Sequence, residues 1–113
     1  MPHHQDVNLP QATEHSDPSW FGFPITLKEN CPVTRRDLLT HLDQNKVGSR
    51  PLFAGNQTRQ PYMIEANYRI SGDLTNTDNV MNNTFWIGVQ PALTREMLEF
   101  AAQKIESYLG ANF

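Results

Sequence analysis

With 113 residues, nine basic and twelve acidic, the chain is one small domain of net charge -3, without the general electrostatic pull that would hold it on nucleic acid or anionic lipid. Apolar residues make up 38% of it and no apolar run approaches the roughly 20 residues of a membrane span, which reads as a soluble globular fold with a modest core. A single cysteine, Cys31, excludes an intrachain disulfide or a multi-thiolate metal site of its own, and the start "MPHHQDVNLP" carries neither an export nor an organelle pattern, so the expected compartment is the cytoplasm.

Residues 1–17 are polar, with proline turn chemistry and isolated apolar residues, and read as an extended arm or linker ahead of a domain over 18–113. His3, His4 and His15 lie in this arm without a framework that would fix metal geometry. Ser19 to Lys28, "SWFGFPITLK", is rich in aromatic and β-branched residues and predicts a strand, with Pro24 implying a sheet edge or a bulge. Cys31 reads as a small buried or half-buried hydrophobe. Thr34 predicts a helix N-cap with Asp37 three residues on, and Leu38, Leu39 and Leu42 form one stripe of a helix over about 35–46. Val47 to Phe53 predicts a short strand limited by Gly48 and Pro51. "YMIEANYRISGD" is weakly periodic and ends in the turn signal Ser71-Gly72-Asp73. "LTNTDNVMNN" predicts a short helix with one apolar edge at Leu74 and Val80-Met81.

"TFWIGV" (Thr84 to Val89) predicts a strand ended by Pro91, with Phe85 and Trp86 expected in the core. Thr94 then caps a last helix whose Met97, Leu98, Ala101, Ala102, Ile105, Tyr108 and Leu109 share one face, with Gly110 as its stop. Phe100 lies off that stripe, either as an exposed aromatic or as a contact for something outside the chain. The succession of elements predicts an α+β layer, a small sheet with helices packed on one face.

No phosphate-binding glycine loop, Cys/His metal spacing, nucleophile elbow or Ser-His-Asp set is present, which argues against a free-standing catalyst. Polar chemistry concentrates in "GSRPLFAGNQTRQP" (Gly48 to Pro61): Arg50, Asn56, Arg59 and Gln60, with Phe53 beside them. A guanidinium fork suits phosphate or carboxylate, amides read hydroxyls and carbonyls, and an aromatic ring covers a sugar or base face. From the residues alone two readings stand: solvated arginines around an asparagine that satisfies its own turn, which composition favours, or half of a site for a phosphorylated, hydroxyl-rich ligand.

Three stretches, "SWFGFPITLK", "VTRRDLLTHLDQNKVGSRPLFAGNQTRQP" and "YRISGDLTNTDNVMNNTFWIGVQPALTREMLEFAAQKI", together resemble the C-terminal segment of the CDP-4-keto-6-deoxyglucose 3-dehydratases of lipopolysaccharide biosynthesis, in the DegT-type sugar aminotransferase superfamily. The resemblance covers about residues 16–113. It implies the small, mostly antiparallel α+β domain of fold type I pyridoxal-phosphate enzymes. It further implies a parent reaction in which pyridoxamine phosphate condenses with the 4-keto sugar nucleotide, a base removes a proton from the cofactor and the C3 hydroxyl leaves. Family members are several times longer. Their cofactor contacts, the histidine standing where aminotransferases have lysine, and the cysteines of any iron-sulfur cluster belong to a large domain that no residue here matches. No catalytic, cofactor-binding or metal residue is therefore expected in this chain, and Cys31 inherits no cluster role.

What carries over is the closing of one side of the cleft toward a CDP-sugar. Arg50, Phe53, Asn56, Arg59 and Gln60 are the matching loop positions, and Asn82 is a further candidate. The expected partner is the large cofactor-binding domain, with self-association through exposed former interface. The alternative is a free-standing binding or interaction module that kept the small-domain fold.

Overall fold

A computed structural model describes residues 4–111. Among them, the strands β1 (Val7–Asn8), β2 (Gly22–Leu27), β3 (Ser49–Pro51) and β4 (Thr84–Gly88) form one antiparallel sheet in the order β1-β2-β4-β3. Three α-helices accompany it: α1 (Arg35–Gln44), α2 (Thr75–Asn83) and α3 (Arg95–Ala111). Ile25 pairs with Phe85 and Phe23 with Ile87, so the two-residue period of the strands puts all four, with Leu27, on one face. Leu38 and Leu42 of α1 and Ile105 and Leu109 of α3 complete the buried core against that face, as the α+β reading expects. The side chain of Phe85 is fully buried at its centre.

The extended arm expected over residues 1–17 supplies β1, which the sequence did not signal. Val7 is buried in the core, Val7 and Asn8 pair with Leu27 and Thr26, and Lys28 N–H donates to the Asp6 carbonyl at 2.9 Å. Because β1 ends there, β2 is a sheet edge at Pro24, where a missing N–H is harmless.

Helix α1 starts as expected, with Thr34 Oγ1 accepting from Asp37 N–H at 3.2 Å. It stops at Gln44, earlier than expected, because Lys46 turns left-handed at φ 63°. Val47 N–H then bonds the Leu42 carbonyl and Lys46 N–H the Asp43 carbonyl, the paired bonds of a Schellman end with lysine where glycine is usual. The following strand is only Ser49–Pro51 rather than Val47 to Phe53, since Pro51 lacks a donor and Phe53, at φ 46°, turns the chain out of the sheet. Likewise β2 begins at Gly22, with Trp20 and Phe21 exposed ahead of it.

Helix α2 forms where expected, opened by Asp73, whose carboxylate accepts from Thr75 N–H at 3.2 Å. Its carboxyl end is closed from α1: Arg35 Nη1 donates to the carbonyls of Met81 at 2.5 Å and Thr84 at 3.1 Å. Carbonyls left unpaired at a helix C-terminus favour a cation there, so Arg35 clamps α1, α2 and β4 together.

Helix α3 departs from its expected stripe. Its second half packs, with Ile105 and Leu109 buried and His41 of α1 stacked on Tyr108 at 4.6 Å, but Met97 and Leu98 are 54% and 50% exposed because the first turns run past the core. Gly110 does not stop the helix, which continues to Ala111. Phe100 is exposed, with the Lys104 ammonium 5.1 Å from its ring centre.

Candidate functional site

Side chains of β4 alternate, and this divides the expected core pair: Phe85 points into the core while Trp86, with Pro24 and Arg50 as its cross-strand neighbours, lies on the opposite face. Trp86 is half-buried. Phe21, just before β2, meets its ring at 5.2 Å and 56°, and Phe53, just after β3, meets it at 4.9 Å and 65°. The first contact is tilted and the second edge-directed, at centroid separations where aromatic pairs attract. Phe21 and Phe53 remain 81% and 77% exposed, so the cluster presents two aromatic rings to its surroundings. Arg50 is exposed beside them, and its guanidinium makes no hydrogen bond or ion pair with any described residue.

The rest of the loop is organised by a polar knot. Asn56 is buried, and its Oδ1 accepts from Thr58 N–H at 3.0 Å and Thr58 Oγ1 at 2.6 Å while its Nδ2 donates to Asp78 Oδ1 at 2.8 Å. Arg59 grips the same carboxylate with Nε at 3.2 Å and Nη2 at 3.0 Å. Hydrogen bonds from Arg59 and then from Asn56 hold the Asp78 carboxyl below its ordinary range, and the same pairing raises the Arg59 guanidinium. Gln60 Nε2 donates to the Ala54 carbonyl at 3.1 Å. Gly55, at φ 69°, lies against Met81 of α2 so closely that a Cβ there would come within 2.3 Å of that side chain.

The residues singled out from sequence therefore divide by what holds them. Arg50 and Phe53 face outward at the aromatic cluster, whereas Asn56, Arg59 and Gln60 have their polar groups engaged in shaping the loop. Asn82 stands apart, lining a depression with Cys31, Thr34 and Arg35. Sequence reading missed Phe21, Trp86 as an outward residue, and Asp78. The alternation Phe85-in, Trp86-out was available from the strand period, but Asp78 is 22 residues from Asn56 and nothing local announces that contact. Among the described residues no group of three His, Cys, Asp or Glu side chains converges as a metal site.

Comparison with known proteins adds the following. The model of the DegT/DnrJ/EryC1/StrS aminotransferase family matches residues 3–106. The lipopolysaccharide biosynthesis protein RfbH of Salmonella typhimurium is 57% identical over 107 residues, covering 95% of this chain and 24% of that protein. A dTDP-4-dehydro-2,6-dideoxy-D-glucose 3-dehydratase of Saccharopolyspora spinosa is 45% identical over 89% of this chain and 22% of its own length. Among solved structures, the Escherichia coli GDP-4-keto-6-deoxy-D-mannose-3-dehydratase with bound hydrated PLP superposes with a TM-score of 0.82 at 20% identity, over 92% of this chain and 26% of that one. The chain thus spans about a quarter of the length of the relatives it matches.

Proposed function

The chain belongs to the DegT/DnrJ/EryC1/StrS aminotransferase family, and from that premise we propose that it serves as the C-terminal domain of a pyridoxamine-phosphate-dependent sugar-nucleotide 3-dehydratase acting on CDP-4-keto-6-deoxyglucose. In this reading it forms one wall of the substrate cleft and is inactive alone. The observation that carries it is the 57% identity running through nearly the whole chain while taking up only 24% of RfbH. A second relative at 45% is itself named as a sugar-nucleotide 3-dehydratase.

The distribution of side chains supports placing the chemistry elsewhere in the parent protein. An enzyme of this cofactor class needs a group facing the pyridinium nitrogen and a cup for the phosphate. The Asp78 carboxylate beside the loop has both oxygens engaged by Asn56 and Arg59, which supports a cofactor site formed by other sequence of the parent. When bound in the parent, the cofactor supplies the electron sink for loss of the C3 hydroxyl. Arg50 and Phe53 face the sugar nucleotide, while Asn56, Arg59 and Gln60 fix the loop that presents them.

A segment exchange tests this. Replacing the matching segment of the Saccharopolyspora spinosa 3-dehydratase by this chain yields a protein that still consumes a 4-keto sugar nucleotide. A folded chimera without turnover overturns the reading. The exposed first turns of α3 favour a second reading, an interaction module; recovery of the chain from its own cells bound to a protein unrelated to the family would establish that instead.

A further inference from the structure

The first turns of α3 stand clear of the core, and their charges are unevenly used. Arg95 and Glu99 hold each other, Nε to Oε1 at 2.8 Å. Glu96 is exposed, and its carboxylate makes no hydrogen bond or ion pair with any described residue. The Lys104 ammonium is likewise paired with no described carboxylate; it lies 5.1 Å from the centre of the Phe100 ring. Glu96, Phe100 and Lys104 follow at i, i+4 and i+8 and so form one ridge of the helix. A rise of about 1.5 Å per residue sets the two charges about 6 Å along the axis on either side of the ring. Exposed Met97 flanks this ridge. Beside it a groove of about 760 Å³ opens between α3 and the end of the sheet, with Val47, Ile87, Leu93, Met97 and Phe100 among its lining.

We propose that this ridge is the contact for a second copy of the chain, the two α3 helices crossing antiparallel about a twofold axis beside Phe100. The order of charges selects both the partner and the direction. In a twofold contact the same patch lies on both sides, and antiparallel helices bring the turn before Phe100 opposite the turn after it. Glu96 then meets Lys104 of the other copy, twice over. Parallel helices would instead set Glu96 against Glu96 and Lys104 against Lys104, which repel. Phe100 and Met97 of each copy supply an apolar centre between the two ion pairs, and the groove gives the opposite ring a recess to enter. A patch this small makes a weak, concentration-dependent dimer. The proposal uses neither the loop nor the dehydratase reading.

Sedimentation equilibrium of the whole chain over a concentration series tests this with two charge reversals, Glu96→Lys and Lys104→Glu. Each alone sets like charges together at both symmetric places and weakens dimerisation by roughly two- to thirtyfold, the range for two exposed ion pairs. An equimolar mixture of the two variants puts opposite charges back at both places and associates as the native chain does. The double reversal does the same by itself. Recovery in the mixture also shows that both variants are folded. Added salt weakens the native dimer. A chain that stays monomeric at millimolar concentration overturns the proposal, and so does association indifferent to both reversals, which belongs to another apolar patch. Loss of association that neither the mixture nor the double reversal recovers overturns it as well. If alkylation of a Phe100→Cys thiol is slowed in the segment-exchange chimera but not by concentrating the chain, the occupant of the ridge is the rest of that enzyme, and the proposal falls while the dehydratase reading stands.

Discussion

The carboxyl of Asp78 is held below its ordinary value of 3.8 by Arg59 and Asn56, which gives the loop a defined acid response. A folded-state value depressed in this way contributes stability that is fully present above 3.8 and is lost as pH falls through the lower folded value. The Thr58 amide, donated to Asn56, should therefore keep one chemical shift from neutrality down to about that point and change below it. Asp78→Asn should flatten the profile; an unchanged acid transition in that variant would show that Asp78 does not hold the loop. Asn56→Ala, which strands the Thr58 amide and hydroxyl, should cost about 1–3 kcal/mol by chemical denaturation. The sequence displayed the loop's equipment but not its division of labour. Arg50 and Arg59 look alike in a string of residues. Only the fold, by bringing α2 against the loop at Gly55 and Met81, decides which one meets a carboxylate.

At the scale of elements, two caps and one clamp hold the layers in register. Lys46 adopts the left-handed conformation that costs a non-glycine residue roughly 1–2 kcal/mol. Lys46→Gly should therefore stabilise the chain by about 1 kcal/mol, read as a higher thermal midpoint, and a lower midpoint would mean that the lysine stem contributes packing that outweighs the strain. Thr34→Ala should lose about 1 kcal/mol at the other end of the same helix. Helix α1, the Thr84 strand and the existence of α3 were legible because apolar period and capping residue agree. Strand β1 was not, since two residues with one buried side chain carry no period. The outward turn of Trp86 and the exposed Met97 and Leu98 were misjudged for a related reason. Hydrophobicity marks what wants covering, and the covering surface need not lie in the same chain.

Taken whole, the described residues leave large apolar side chains uncovered on the sheet face opposite the core at Phe21 and Phe53, between β3 and α2 at Tyr62, Ile64, Tyr68 and Ile70, and on α3 at Met97, Leu98 and Phe100. Monomers rarely expose such contiguous surface. Sedimentation should accordingly show association that grows with concentration and weakens in Phe100→Ser, and a clean monomer at high concentration would contradict it. The central account, a cleft wall whose reactive groups lie in the rest of a longer enzyme, is tested most directly by supplying the purified chain with pyridoxamine phosphate and CDP-4-keto-6-deoxyglucose and following loss of the C3 hydroxyl. The account predicts that the sugar nucleotide persists unchanged. Turnover by these 113 residues alone would contradict it.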